Sequence, residues 1–148
     1  KKIIKVNIMK KTILKFATAT ALLTYGLVNA TASEISNLDV KKECNVEANG
    51  IEKVIATAAK YNEMAVKNKI EFMRLGMKAS QYIEAVQGAI KTGSKNIDIV
   101  DDKKVKTSEA TVEFGAWRAC SFAISALTQD EEAKKTWRAS VPGDGYKY

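Results

Sequence analysis

The sequence contains no histidine, the side chain that most often acts as a general base or binds a transition metal. Its two cysteines are too few for a zinc site built from thiolates. No nucleophile elbow, P-loop or dinucleotide-binding glycine motif is present. Asp98, Asp101 and Asp102 lie close together, but no glycine-containing EF-hand loop surrounds them. We therefore expect no catalytic residue, no metal and no cofactor.

Pairs of acidic residues offer one route to enzymatic chemistry. Glu43 and Glu47 are one helical turn apart in the sequence, as are Glu109 and Glu113. Two carboxylates perform the acid–base work of glycosidases. The same spacing is typical of a solvated helix face, which is the interpretation that we favour. A small carboxylate-dependent hydrolase is kept as the third of three functional hypotheses.

The first 32 residues have the three parts of a secretory signal peptide. Residues 9–15 are basic, residues 16–28 are apolar, and Ala30-Thr31-Ala32 supplies small residues for cleavage. The apolar stretch has 13 residues, whereas a membrane-spanning helix needs about 20. We expect an upstream extension before Met9 and then a cleavable signal-peptide helix. Cleavage near Ala32, with Ala30 as the alternative, predicts a periplasmic or secreted protein with no stable membrane span.

Removal of the leader changes the charge of the protein. The whole chain has 24 basic and 17 acidic residues, a net charge of +7. Six of the lysines and none of the acids lie within residues 1–32, so the mature chain has 18 basic and 17 acidic residues, a net charge of +1. A nucleic-acid-binding protein needs a basic patch that survives processing. The nearly neutral mature composition therefore argues against nucleic acid as a partner.

The cysteines are Cys44 and Cys120, and export to an oxidising compartment makes oxidation their default state. We predict a Cys44–Cys120 disulfide with a structural role. A redox-active pair is the alternative. Such pairs usually have Cys-X-X-Cys spacing or a strongly electropositive setting, and the sequence shows neither.

Hydrophobic periodicity predicts an all-α fold, a small helical bundle of three main helices and a short C-terminal helix. We expect a polar arm over residues 33–43, a helical domain over 44–139 and a flexible tail over 140–148. The first helix is weakened at Gly50 and has Gly76 as its C′ residue. Its apolar stripe consists of Cys44, Ala48, Ile51, Ile55, Ala58, Tyr61, Ala65 and Phe72.

The second helix is predicted to begin with Ser80 as its N-cap and to end at Thr92-Gly93. Its buried stripe is Tyr82, Ile83, Val86 and Ile90. Residues 93–106 are predicted to be a loop whose apolar side chains, Ile97 and Ile99 among them, contact the core. The third helix starts near Thr107 or Ser108. A separate short helix from Asp130 to Arg138 follows it, with acidic residues first and basic residues last, as the helix dipole favours.

Aromatic residues near the C-terminus are candidates for core or partner contacts. Phe114 and Trp117 lie near Cys120, and we expect them to pack in the core around the disulfide. Trp137, Tyr146 and Tyr148 lie in the C-terminal segment. Tryptophan and tyrosine are enriched at binding hot spots, so these three are predicted partner contacts.

The arrangement resembles small, uncharacterised exported helical proteins of Gram-negative bacteria and their phages that contain one disulfide. In that pattern Cys44 opens the first helix, and Arg74-Leu75-Gly76-Met77 leads to the helix around Tyr82-Ile83-Glu84. The final helix carries Cys120, and the resemblance covers about residues 44–127. It implies a compact helical, disulfide-linked periplasmic domain.

Three functional hypotheses remain after these exclusions. The first is a non-enzymatic periplasmic module that binds another envelope protein, such as a phage or mobile-element regulator. The second is a periplasmic acid or stress chaperone of the HdeA class, which is similar in size, export, helical content and single disulfide. The Trp-Thr-Cys opening of that class is missing here, and any acid switch would depend on the 17 carboxylates. The hydrolase is the third.

Overall fold

The computed structural model of the protein describes residues 31–74 and 76–137. The signal-peptide prediction therefore lies almost entirely outside the described residues, and the predicted tail over 140–148 lies wholly outside them. The described helices are α1 (Ala32–Ser36), α2 (Val40–Glu43), α3 (Val46–Asn49), α4 (Ile51–Lys67), α5 (Ala79–Thr92) and α6 (Val112–Thr136). The described strands are β1 (Met73–Arg74), β2 (Met77–Lys78), β3 (Asn96–Val100) and β4 (Lys106–Thr111). None of the helices within these ranges is both long enough and apolar enough to cross a membrane.

The fold is mostly helical, and α6 is its central element. Helices α4 and α5 pack against α6 and against each other. Most of the buried face of α6 consists of small residues, including Gly115, Ala116, Ala119 and Ala123. Because the distance between packed helices depends on the side chains at the contact, these small residues let α4 and α5 approach closely. The larger side chains of this core come mainly from the surrounding elements, among them Val54, Ile55, Met77, Tyr82, Val86 and Ile97.

Two small antiparallel hairpins correct the all-α prediction. Strands β1 and β2 pair Arg74 with Met77, and strands β3 and β4 pair Ile97 with Ala110. Residues 93–106 therefore contain a strand, and the residues predicted to start the third helix form its partner strand. Ile97 is buried in the core, so the prediction that this segment places apolar side chains on the core is confirmed.

Helix α6 is one continuous helix, so the prediction of a separate helix from Asp130 to Arg138 is wrong. It begins at Val112, where the Oγ1 of Thr111 accepts a hydrogen bond from the Phe114 N–H at 3.2 Å and caps the first turn. Near its end, the Nζ of Lys134 lies 2.8 Å from a carboxylate oxygen of Asp130, one turn earlier. This spacing supports a helix that continues through residue 130.

Helix α4 ends at Lys67, earlier than the sequence predicts. Lys69 adopts a left-handed φ of +60°, and the Ile70 N–H donates to the Ala65 carbonyl at 2.9 Å, which terminates the helix. Gly76 does have a positive φ, +86°, but it lies in the turn between β1 and β2. A Cβ at Gly76 would lie 2.6 Å from the backbone nitrogen of Asp102, so the turns of the two hairpins pack backbone to backbone.

The first turn of α5 is capped by a side chain outside the helix, that of Glu71. Ser80, the predicted N-cap, lies inside the helix, and its N–H donates to Oε1 of Glu71 at 2.9 Å. The buried Asn62 of α4 donates from Nδ2 to the same oxygen at 3.1 Å. Burial raises the pKa of Glu71, but the hydrogen bonds from Ser80 and Asn62 together outweigh it and hold the pKa below its ordinary value. Glu71 therefore ties α4 to α5.

The segment predicted as a polar arm contains helices α1 and α2. The Glu34 side chain accepts a hydrogen bond from the Thr31 N–H at 2.6 Å, as part of a capping box at the start of α1. Ile35 is buried in a small apolar cluster with Ala65 and Leu127. Helix α1 thus covers the end of the core formed by the later turns of α6.

Candidate functional site

The predicted disulfide between Cys44 and Cys120 is confirmed. Cys44 is the C-cap residue of α2, and Cys120 lies in the interior of α6, with 5.6 Å between their Cα atoms. Both residues are completely buried. The bond joins residues 76 positions apart and holds the short helices α2 and α3 against α6. It therefore fixes the relative position of two walls of the groove described next.

A groove with a volume of about 810 Å³ opens beside the disulfide. One wall is formed by α3 and the start of α4, including Val46 and Ile51. The other wall is the first part of α6, including Phe114 and Trp117, and Cys44 also lines the groove. Aliphatic and aromatic side chains on both walls therefore share the lining with the polar residues Lys41, Asn45, Glu47 and Glu113.

Phe114 and Trp117 form a contacting aromatic pair at the surface. Their ring centroids are 5.7 Å apart, with 44° between the ring planes. Phe114 is 39% exposed and Trp117 is 42% exposed, so the expectation that they pack in the core is wrong. The reason is helix geometry, since the buried stripe of α6 passes through Gly115, Ala116 and Ala119 and leaves positions 114 and 117 outside it. The run of small residues was the sequence signal for this orientation.

Arg118 extends the aromatic pair into a larger surface. Its guanidinium carbon lies 5.0 Å from the ring centroid of Phe114, 5.7 Å from that of Trp117 and 5.3 Å from that of Phe122. These distances are typical of cation–π contacts. The Nε atom of Arg118 is buried and has no hydrogen-bond partner among the described residues. Sequence reasoning did not single out Arg118, because only the helix phase brings it to these rings.

The acidic pairs predicted from the sequence are divided between different elements. Glu43 lies in α2 and Glu47 in α3, while Glu109 lies in β4 and Glu113 in α6. Neither pair therefore shares one helix. The structure brings together a different combination, because Glu47 and Glu113 both line the groove, as does Lys41. All three are exposed residues.

The three aspartates of the second hairpin have local structural roles or lie exposed. An oxygen of Asp98 lies 2.8 Å from the Nζ of Lys106. The Oδ1 of Asp101 accepts hydrogen bonds from the Lys103 N–H at 2.9 Å and the Val105 N–H at 2.8 Å. Asp101 therefore organises the turn between β3 and β4. In the two described ranges, no three potential metal ligands are grouped together.

Trp137, the one predicted C-terminal contact that the structure describes, does not line this groove. Trp137 is the C-cap residue of α6 and is 52% exposed. It lies 20 residues after Trp117, which corresponds to about 30 Å along a helix. Tyr146 and Tyr148 lie outside the described residues. A contact between these three residues and a partner stays a prediction.

Comparison of the chain with protein-family models, with curated proteins and with solved structures found no match. The groove, its exposed aromatic pair and the adjacent arginine are therefore the features from which a function is inferred.

Proposed function

We propose that the protein is an exported, non-enzymatic interaction module that binds another envelope protein through the groove beside the disulfide. The observation that carries this proposal is the exposure of Phe114 and Trp117 as a contacting pair on the groove wall. Exposed apolar patches mark interaction sites, and tryptophan is among the residues most enriched at binding hot spots. A regulator encoded by a phage or another mobile element fits this class of function.

The architecture of the groove favours binding with a small entropic cost. The Cys44–Cys120 bond holds α2 and α3 on α6, so both walls are in place before a partner arrives. A preorganised site loses less conformational freedom on binding than a flexible one. The groove has the size of a typical small-ligand pocket, and a few apolar side chains of a partner fill such a volume. We therefore expect the partner to insert one or two aliphatic or aromatic side chains between Ile51 and Trp117.

A peptide selection tests this proposal without a known partner. A random peptide library displayed on phage is selected against the oxidised, immobilised protein. The selected peptides are then measured against Trp117→Ala and against the control Val105→Ala, which removes a similarly exposed apolar residue on the second hairpin. Loss of a hot-spot residue weakens binding by about 2 kcal/mol, or roughly 30-fold. Peptides that bind both variants equally well, or no peptides at all, would contradict the proposal.

Export is the second part of the proposal. It is supported by the leader over residues 1–32 and by the buried disulfide, since such bonds persist in oxidising compartments. The mass of the protein recovered from the periplasm, or from the medium, tests it. We expect a mature chain that begins after Ala32 or after Ala30. A full-length chain confined to the cytoplasm would contradict export.

A carboxylate-dependent hydrolase is a second candidate, because Glu47 and Glu113 line the same groove. The acid of a glycosidase works in a site that shifts its pKa upward, usually by burial. Glu47 and Glu113 are both exposed, so the structure offers little of that environment. Hydrolysis of a panel of aryl glycosides that disappears in both Glu47→Gln and Glu113→Gln would establish this candidate. Hydrolysis that survives both substitutions, or is absent from the wild type, would exclude it.

A further inference from the structure

We propose that Arg118 binds a carboxylate of the partner, so that the partner is a protein segment with an Asp or Glu side chain next to the apolar side chain that enters the groove. This inference rests on the proposed function and specifies the chemistry of the segment that the groove accepts.

The first argument is the state of the Arg118 guanidinium. It has five N–H donors in a planar fork, and it is held among the rings of Phe114, Trp117 and Phe122. Among the described residues, no carboxylate forms an ion pair with it and its buried Nε has no acceptor. Because the Nε is enclosed by the protein, an incoming acceptor would reach the guanidinium through its remaining N–H groups.

The second argument is preorganisation. An arginine usually loses considerable side-chain freedom when it binds a ligand. Here the flat guanidinium already lies against aromatic rings, which restricts it before binding. The fork geometry matches the two oxygens of a carboxylate, and hydrogen bonds between ionised groups are the stronger kind. A carboxylate is the acceptor that best fits this arginine.

The third argument is position. Phe114 and Arg118 are four residues apart on α6, so their side chains are neighbours on one helix face. Phe114 also lines the groove, so a segment that packs against its ring is close to both the groove and Arg118. Two acids, Glu47 and Glu113, and one base, Lys41, line the groove itself, so the excess of negative charge disfavours an acidic side chain there. The charges therefore orient the segment with its acid toward Arg118 and its apolar residue toward Ile51.

The selection experiment tests this inference as well. We expect the peptides that depend on Trp117 to be enriched in Asp or Glu at a fixed spacing from an aliphatic or aromatic residue. Arg118→Met keeps a long apolar side chain over the rings but removes the charge, and it should weaken these peptides by about tenfold to hundredfold. The Arg118→Glu variant should lose binding to a selected acidic peptide. The same peptide with lysine in place of its acid should bind that variant again. Melting temperatures of each variant establish that it remains folded.

The outcomes separate this inference from the proposed function. Peptides that require Trp117 but show no acidic enrichment, or bind Arg118→Met as tightly as the wild type, overturn the inference and leave the proposed function standing. A selection without Trp117-dependent peptides contradicts both. Sedimentation velocity of the purified protein adds a third readout, because a dimer that Trp117→Ala dissociates and Arg118→Met leaves intact would identify a second copy as the occupant and overturn the role of Arg118.

Discussion

Two helical glycines give opposite predictions for the same substitution, glycine to alanine. A Cβ at Gly115 of α6 would lie 2.4 Å from Cδ1 of Ile97 and 2.8 Å from Cγ2 of Val86. A Cβ at Gly88 of α5 would have no described neighbour within 4 Å. Gly115 therefore marks the point where β3 and α5 press closest on α6, whereas Gly88 faces open space. The pair tests the packing of the β3–β4 hairpin, the part of the fold that the sequence did not reveal.

The expected changes in the free energy of unfolding follow from two opposing effects. Alanine is a better helix former than glycine by about 0.5–1 kcal/mol, and this gain applies at both positions. At Gly115 the added carbon overpacks the core, which typically costs about 1–3 kcal/mol. The Ile97 methyl group can move aside by rotation, but Val86 is β-branched and stiff. We expect Gly88→Ala to raise the free energy of unfolding by about 0.5–1 kcal/mol and Gly115→Ala to lower it by about 1 kcal/mol.

Urea unfolding followed by circular dichroism measures both variants under one set of conditions. Because the two substitutions are chemically identical, their effects on the unfolded chain are similar. The difference between their changes in unfolding free energy therefore reports the native environment of each glycine. A Gly115→Ala protein as stable as the Gly88→Ala protein would refute the reasoning. That result would mean that Ile97 does not lie against α6.

Glu71→Ala removes the acceptor shared by Ser80 and Asn62, and we expect a loss of about 2–3 kcal/mol in urea unfolding. The folded-state pKa of Glu71 lies below its ordinary value of 4.5, so the charge-dependent part of this stabilisation is present above pH 4.5 and is lost as the pH falls through the folded-state pKa. Glu71→Gln should therefore flatten the acid-side decline in Tm, and an unchanged decline would count against the cap. Replacing both Cys44 and Cys120 with alanine should cost about 4.5 kcal/mol, the loop-closure value for a separation of 76 residues, and an unchanged urea midpoint would contradict a structural role.

The disulfide and much of the helical core could be predicted from the sequence. Two cysteines allow one intramolecular pairing, and the structure contains the predicted Cys44–Cys120 bond. Three residues of the predicted α5 stripe, Tyr82, Ile83 and Val86, are buried, whereas the fourth, Ile90, is 37% exposed. These features depend on local pattern and on the number of cysteines, both of which a single sequence contains.

Features that depend on tertiary contacts could not be predicted from local sequence patterns. Strand β4 reads Lys-Thr-Ser-Glu-Ala-Thr, so it has almost no apolar signal and is defined by its pairing with β3. Gln81 caps the start of α5 locally by accepting from the Lys78 N–H, but the second cap comes from Glu71, outside that helix, and no local motif indicates it. In α6 the large aromatic residues suggested the buried face, but the alanines and Gly115 occupy it. Small residues occupy the buried face of α6 because α4 and α5 pack closely against it. Phe114 and Trp117 therefore lie outside that face, at the groove.

The most direct test of the central claim uses Trp117 as a fluorescent reporter. The chain has two tryptophans, so Trp137→Phe leaves Trp117 as the sole source of indole emission. In the free protein we expect emission typical of an exposed indole that acrylamide quenches readily. Saturation with a selected peptide should shift that emission to shorter wavelength and protect it from acrylamide. Emission typical of a buried indole in the free protein, or an unchanged spectrum and unchanged quenching in the saturated complex, would contradict the claim that Trp117 forms the binding surface.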